Sequence, residues 1–105
     1  FLTIQNGPDD RYISSVSTWK NFIDALNRGD REDALWCFES SARAKYREYF
    51  ESFTDDSMRK MAEEMKDISL SKEIDKFQEG MIHSGGKAGI VLFVNTHGEW
   101  KISQM

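Results

Sequence analysis

Residues 17–29 carry a regular apolar pattern and read Ser17-Thr-Trp-Lys-Asn-Phe-Ile-Asp-Ala-Leu-Asn-Arg-Gly29. The large apolar residues of this stretch recur at a spacing of i, i+3, i+4 and i+7, which places them on one face of a helix. They are Trp19, Phe22, Ile23 and Leu26. A hydroxyl of Ser17 or Thr18 can cap the first turn, and Gly29 can adopt the left-handed conformation that closes the last turn. We therefore predict a helix around which the rest of the chain packs.

Length and composition indicate one domain with its own core. The chain has 105 residues, enough to bury a core without disulfides or metals. Its 14 basic and 18 acidic residues are mixed along the sequence and give a net charge of -4, so we predict no nucleic-acid partner. No apolar run approaches the ~18 residues of a membrane span, and no signal-peptide pattern is present. Because the chain begins at Phe1 rather than Met, we expect that an upstream segment has been removed, with any targeting signal.

The sequence carries no catalytic or metal-binding motif of any strength, so we predict no catalytic residue, no cofactor and no metal site. The single cysteine, Cys37, cannot form an internal disulfide and lies on a predicted apolar helix face. This position favours a buried structural thiol over a reactive one. His83 and His97 lie beside predicted turns, where we expect solvated side chains rather than a general base. The candidate acids are scattered without a spacing that would hold two together: Asp24, Glu39, Asp67 and Glu79.

The helical pattern continues after Gly29. Asp30 opens a second periodic segment, whose inner face carries Ala34, Leu35, Phe38 and Ala42. Ser40 and Ser41 offer a break with fresh capping hydroxyls. We predict one bent helix or two short ones over residues 30–52. Thr54 then caps a further helix.

Two groups of side chains in these helices leave alternatives open. The first group recurs at helical spacing and predicts core, with a ligand-stacking surface as the alternative; it comprises Tyr46, Tyr49, Phe50 and Phe53. The second predicts the packing face of a short covering helix, with the lining of an apolar ligand cavity as the alternative; it comprises Met58, Met61, Ala62 and Met65.

At Lys66 and Asp67 the apolar period changes from 3.6 to 2, which indicates strands. The first strand contains Ile68, Leu70 and Ile74 and is predicted to bury one face. Residues 77–83 predict a weaker strand, at a sheet edge or with a bulge near Gly80. Residues 90–94 are apolar on both faces, which predicts the central strand.

Turn signals separate the later strands. Ser84-Gly85-Gly86 predicts a hairpin turn, and Asn95-Thr-His-Gly98 predicts a second turn. In the last strand, Trp100, Ile102 and Gln104 alternate with Lys101 and Ser103. The complete pattern predicts an α+β fold of three N-terminal helices packed on a curved four-stranded antiparallel sheet. Residues 14–105 form this single domain, and residues 1–13 are predicted as an N-terminal arm or linker.

Two details complete the predicted fold. Tyr12 and Ile13 either staple the start of the first helix or lie on the surface. The predicted core comprises Trp19, Phe22, Leu26, Leu35, Phe38, Phe50, Ile68, Leu92 and Trp100.

Several of these motifs together resemble one known superfamily. They are Trp19-x-x-Phe22, Ala25-Leu26-x-x-Gly29-Asp30-x-x-x-Ala34-Leu35-x-x-Phe38, Tyr46-x-x-x-Phe50 and Gly98-x-Trp100-Lys101-Ile102. Over roughly residues 16–105 the chain is similar to the nuclear-transport-factor-2-like (NTF2-like, cystatin-like α+β) superfamily. The nearest resemblance is to small bacterial domains of unknown function of the lumazine-binding-like and DUF4878 types. The resemblance implies a cone with a pocket between sheet and helices, often a dimer through the open sheet face, and frequent export to the cell envelope or periplasm.

The enzymes of this superfamily include ketosteroid isomerases, scytalone dehydratases and polyketide cyclases, and they place Asp, His or Tyr in the pocket. The inward phase of the helices here carries apolar residues instead, so no catalytic residue is transferred from the resemblance. We therefore expect a non-catalytic binding or interaction domain for a small apolar ligand or a protein partner. The alternatives are a small cyclase, isomerase or dehydratase, and an oligomerisation module of a larger envelope protein.

The apolar residues of the central strand also predict that the chain associates with a second copy or another partner. One alternating pair, either Val91 with Phe93 or Ile90 with Leu92, packs on the helices, and the other pair needs cover from water. An isologous contact between two copies is a common form of such cover. We expect a homodimer through the sheet face, with an upstream domain or another protein as the alternative cover.

Overall fold

Helices precede strands along the chain, as the change of apolar period near Asp67 predicts, and the fold class is α+β. The computed structural model describes residues 9–84 and 87–105. After a 3₁₀ turn, Asp10–Tyr12, the described elements are α1 Ser15–Arg28, α2 Arg31–Trp36, α3 Ser40–Glu51, α4 Asp55–Met65, β1 Ile68–Ile74, β2 Phe77–Ser84, β3 Lys87–Thr96 and β4 Glu99–Gln104.

The described residues form four α-helices where three were predicted, because residues 30–52 form two short helices rather than one bent helix. Between α2 and α3 the chain leaves the helix and Phe38 pairs with Ile102 of β4. Glu39 then caps α3 by accepting a hydrogen bond from the Ser41 N–H at 3.1 Å. The break is therefore set by pairing with the sheet, which the local helical pattern does not contain.

Helix α1 begins earlier than predicted. Its N-cap is Ser14, whose Oγ accepts from the Ser17 N–H at 3.1 Å, so the prediction of Ser17 or Thr18 as the cap is wrong. Thr18 is instead buried, and its hydroxyl donates to the Trp100 carbonyl of β4. Gly29 closes the helix with a φ of 70°, as predicted. Helix α1 is thus anchored to the sheet by a buried polar contact as well as by its apolar face.

The core surrounds α1. Its ring contacts include Trp19 with Phe22 at 5.1 Å and Phe22 with Phe38 at 5.5 Å between centroids. The predicted core residues that are buried are Trp19, Phe22, Leu26, Leu35, Phe38 and Phe50, and Ile68 and Trp100 pack against them while partly buried. Leu92 is wrong as a core prediction, because strand alternation turns Val91 and Phe93 to the helices instead.

The sheet has the order β1-β2-β3-β4, and all neighbours are antiparallel. Strand β3 is paired on both sides, which confirms residues 90–94 as part of a central strand. Strand β2 is also interior, so its prediction as an edge strand is wrong. The bulge lies in β1, between Leu70 and Glu73, opposite the part of β2 that contains Gly80. At Gly80 a Cβ atom would lie 2.9 Å from Cδ1 of Ile68, so glycine permits this close approach.

Strand β1 does not bury a face as predicted. Among the described strands it lies at the edge of the sheet, and its bulge turns Ile74 to the opposite face from Ile68 and Leu70. Ile74 pairs with Phe77 and is 68% exposed. The apolar alternation of this strand therefore does not correspond to one continuous buried face.

The β3–β4 connection is the predicted tight turn. His97 and Gly98 have φ angles of 55° and 87°, and Asn95 Oδ1 accepts from the Gly98 N–H at 2.9 Å. The other predicted hairpin turn includes Gly85 and Gly86, which lie outside the described residues. At the N-terminal end, Tyr12 is buried in the core and Ile13 is exposed.

Candidate functional site

An apolar cleft of about 1050 Å³ lies between α3, α4 and the end of the β2–β3 hairpin. Helix α3 contributes Lys45, Tyr46, Glu48 and Tyr49, α4 contributes Met61 and Met65, and the remaining lining residues are Ile82, Gly89, Ile90 and Met105. We call this space the α3–α4 cleft. Its volume and its apolar walls are typical of sites that hold small organic molecules.

Tyr49 forms an open aromatic wall of the cleft. Its side chain is 51% exposed, and its ring centroid lies 4.9 Å from that of Phe53 and 5.8 Å from that of Phe50. Tyr46 and Phe50 are buried, as the core prediction requires. The aromatic group of α3 therefore divides between core and cleft, and Tyr49 presents a ring that a ligand can contact.

Methionines form the opposite wall, on α4. Met58 is fully buried, whereas Met61 and Met65 are half-buried and line the cleft. The end of α4 is held by Trp19, whose Nε1 donates to the Met65 carbonyl at 2.9 Å. One helix therefore carries both a methionine that packs in the core, Met58, and two that line the cleft, Met61 and Met65. Unbranched thioether side chains can adapt to ligands of different shape.

The floor and rim of the cleft differ in polarity. On the floor, Ile82 is buried, and the Tyr46 hydroxyl accepts from the Met105 N–H at 3.1 Å, which holds Met105 beside the cleft. At the rim, Lys45 and Glu48 are exposed, and the Lys45 Nζ lies 5.2 Å from the Tyr46 ring centroid. The arrangement offers an apolar interior with one positive and one negative group at its entrance.

The acids considered from the sequence lie elsewhere. Glu39 caps α3, and Asp24 pairs with Arg28 at 2.9 Å. Glu79 accepts from the Ser71 hydroxyl at 2.9 Å, and Asp67 is exposed at the start of the sheet. Within the described part of the chain, none of these carboxylates lines the α3–α4 cleft.

Both histidines are exposed, as predicted. His83 Nε2 lies 2.8 Å from the Ser69 hydroxyl, on the sheet face away from the helices. Over residues 9–84 and 87–105, no three His, Cys, Asp or Glu side chains come together in a group that can hold a metal ion. In the same ranges, no helix combines the length and the apolar composition needed to cross a membrane.

No family model, curated protein or solved structure matches the chain. The NTF2-like resemblance, with its cone shape, therefore stays a prediction. What can be argued about function comes from the side chains and their geometry.

Sequence reasoning missed several residues of the cleft. Lys45 and Glu48 were not considered, although they stand directly before Tyr46 and Tyr49 and so lie beside the aromatic stripe of α3. The aromatic stripe of α3 is wider than the face of the helix that is buried. This difference in width is the sequence signal for the residues beside the stripe. Ile82 and Met105 gave no comparable signal, because their place in the cleft depends on how the sheet meets the helices.

Proposed function

We propose that this chain is a non-catalytic binding domain whose α3–α4 cleft takes a small, elongated apolar ligand with one polar end. The observation that carries the proposal is the open cleft itself, with apolar walls and charged groups confined to the rim. The order of helices before a four-stranded antiparallel sheet, with a cleft between them, supports the NTF2-like resemblance as part of the same proposal.

The cleft favours apolar ligands on energetic grounds. Each methylene group moved from water into such a site contributes about 0.8 kcal/mol. Met61 and Met65 can adjust their rotamers to the ligand, and the exposed ring of Tyr49 supplies rigid contact area. Lys45 at the rim favours a ligand whose polar end is a carboxylate over one that ends in a hydroxyl.

Calorimetric titration tests this proposal with two probes of equal chain length, decanoate and decanol. We expect both to bind, and decanoate to bind more tightly because of Lys45. The variant Tyr49→Ala should weaken binding about tenfold through the lost ring contact. The matched control is Ile13→Ala, since Ile13 has a similar exposure, 52% against 51%, and lies outside the cleft.

Two results would contradict the proposal. One is the absence of saturable heat with either probe while the protein remains folded. The other is equal binding by the Tyr49→Ala variant and the wild type, which would place the ligand outside this cleft.

A second function, self-association, is favoured by the sheet face turned away from the helices, which we call the outer sheet face. Because Val91 and Phe93 are buried against the helices, Ile90, Leu92 and Val94 lie on the outer sheet face. At the end of the hairpin, Ile90 also borders the α3–α4 cleft. Their partners on β2 continue this face, and its apolar residues are Ile74, Phe77, Met81, Ile90, Leu92 and Val94. Of these, Ile74, Phe77 and Ile90 are 68%, 47% and 55% exposed.

The outer sheet face combines apolar and polar side chains. Its polar residues include Ser69, His83 and Gln104, and Glu79 lies among the apolar residues, between Phe77 and Met81 on β2 and opposite Leu92. Exposed apolar side chains grouped within polar surroundings are typical of interaction sites. A second copy of the chain can present the same surface across a two-fold axis, which supports a homodimer.

Sedimentation velocity at micromolar concentration tests the homodimer. We expect the wild type to sediment as a dimer and Phe77→Lys as a monomer, because a charge on this face opposes its burial. Val16→Lys is the control, since Val16 is an exposed apolar residue of helix α1 and is not part of the outer sheet face. A wild type that stays monomeric at every concentration would contradict the proposal.

A further inference from the structure

We propose that a second cleft, between the N-terminal part of α3 and the β3–β4 turn, binds the carboxylate or phosphate group of a small organic anion through Lys101 and Arg43. This cleft has a volume of about 750 Å³. The side chains that bear on the argument are Tyr12, Trp36, Glu39, Arg43, Glu99 and Lys101. The proposal is independent of the ligand proposed for the α3–α4 cleft.

Lys101 is a buried cation with few partners. The residue is 7% exposed, and its Nζ donates to the Trp36 carbonyl at 2.5 Å. The same Nζ lies 3.4 Å from the Tyr12 ring centroid and 3.8 Å from an oxygen of Glu99. Strand alternation alone predicts an outward, solvated lysine here. The segment that joins α2 to α3 covers it instead, because Phe38 pairs with the neighbouring Ile102.

Arg43 stands beside Lys101 and also has donors to spare. Its Cζ lies 4.1 Å above the Trp36 ring, and its Nε donates to the Phe38 carbonyl at 3.2 Å. Among the residues that the structure describes, no carboxylate lies within ion-pair distance of this guanidinium. Stacking on Trp36 fixes its plane, and a fixed guanidinium fork suits the two oxygens of a carboxylate or phosphate.

The acids around this cleft already have donors from the chain. Asp9 accepts from the Arg11 guanidinium at 2.8 Å, and Glu99 accepts from the Asp9 N–H at 3.0 Å. Glu39 is engaged at the N-terminus of α3. Each of these three acids therefore has at least one donor from the chain, whereas in the described part of the chain only the Nε of the Arg43 guanidinium has an acceptor. Residues 1–8 contain no Asp or Glu and cannot supply a side-chain carboxylate.

The electrostatics point the same way. Burial lowers the pKa of the Lys101 ammonium. The charge of Glu99 opposes this shift, and the positive charges of Arg43 and Arg11 act in the same direction as burial. A desolvated positive charge next to other positive charges is stabilised when an anion binds between them. An anion in this cleft would complete the hydrogen bonds of both cations and relieve their repulsion.

NMR titration of the ¹⁵N-labelled protein tests the site with two probes, sodium phosphate and sodium succinate, against sodium chloride at matched ionic strength. We expect saturable shifts of the Trp36 indole N–H and the Arg43 Nε–H signals with at least one probe. The indole signal of Trp19, which is buried and bonded to the Met65 carbonyl, should not move. The probe that binds more tightly identifies the anion as phosphate or carboxylate.

Variants show whether the cations hold the anion. Arg43→Gln should weaken binding about tenfold or more, because it removes a charge-assisted contact. Arg47→Gln is the matched control one helical turn away, where Arg47 pairs with Glu32. Lys101→Met keeps the buried stem without the charge and should also weaken binding. Shifts that do not saturate with either probe, or saturation that Arg43→Gln retains, would overturn the proposal.

Discussion

At the scale of single residues, burial decides the chemistry. Cys37 is 1% exposed, and its Sγ lies 3.6 Å from the Asp33 carbonyl. Burial raises the pKa of its thiol to about 12, with the nearby Asp33 charge acting in the same direction. This thiol was predictable from its position on an apolar helix stripe. The burial of Lys101 was not predictable from the local sequence, because the residues that cover it, Trp36 and Tyr12, are distant in sequence.

The raised pKa of Cys37 predicts how stability changes with pH. The folded chain keeps the thiol proton between 9.0, the ordinary pKa, and about 12, whereas the unfolded chain loses it. The contribution of Cys37 is therefore fully present below pH 9.0 and is lost as the pH rises through this range. The loss in unfolding free energy approaches about 1.4 kcal/mol per pH unit.

Urea unfolding at about pH 8 and about pH 10.5 measures this effect in the wild type and in Cys37→Ala. We expect the wild type to lose more stability than the variant over this interval. Lys101 has a lowered pKa and changes stability in the opposite direction, so the comparison of the two proteins isolates the thiol. Equal losses in both would contradict the burial of Cys37.

At the scale of elements, local sequence signals predict single helices and strands, but they do not predict which strands pair. Helix α1 follows from its apolar spacing and the left-handed Gly29 from its position after the last turn, although the N-cap is Ser14 rather than Ser17 or Thr18. Strand β3 follows from its apolar composition. The bulge of β1 and the interior position of β2 do not follow from local sequence, since each depends on which strands lie alongside. The break between α2 and α3 depends on pairing in the same way, because Phe38 pairs with Ile102 of β4.

The central position of α1 predicts a large cost for Phe22→Ala. The Phe22 side chain is fully buried and contacts the rings of Trp19, Phe38 and Phe50. Its removal should lower the free energy of unfolding by about 3–5 kcal/mol through lost transfer energy and the cavity left behind. Val16→Ala, at an exposed position of the same helix, should change it by less than about 0.5 kcal/mol. Denaturant unfolding of the two variants that gave equal stabilities would remove α1 from the centre of the fold.

At the scale of the whole molecule, function depends on spaces between elements. The α3–α4 cleft needs α3, α4 and the β2–β3 hairpin to stand apart, and the outer sheet face needs one side of the sheet to lack helices. The sequence predicted both as possibilities, from aromatic and methionine stripes and from residues 90–94. Which side chains face each space depends on packing between elements, and no local pattern contains that information.

The five methionines report on these spaces separately. Met61, Met65 and Met105 line the α3–α4 cleft, Met58 is buried in the core, and Met81 lies on the outer sheet face. Labelling with ¹³C at the methionine methyl groups therefore gives the cleft its own signals, with one control in the core and one on the sheet.

The most direct test of the binding proposal is to titrate this labelled protein with decanoate below its micelle concentration. We predict saturable shifts of the Met61, Met65 and Met105 signals, while those of Met58 and Met81 stay in place. Shifts of the Met81 signal without those of the cleft methionines, or five unchanged signals at saturating decanoate, would contradict the account.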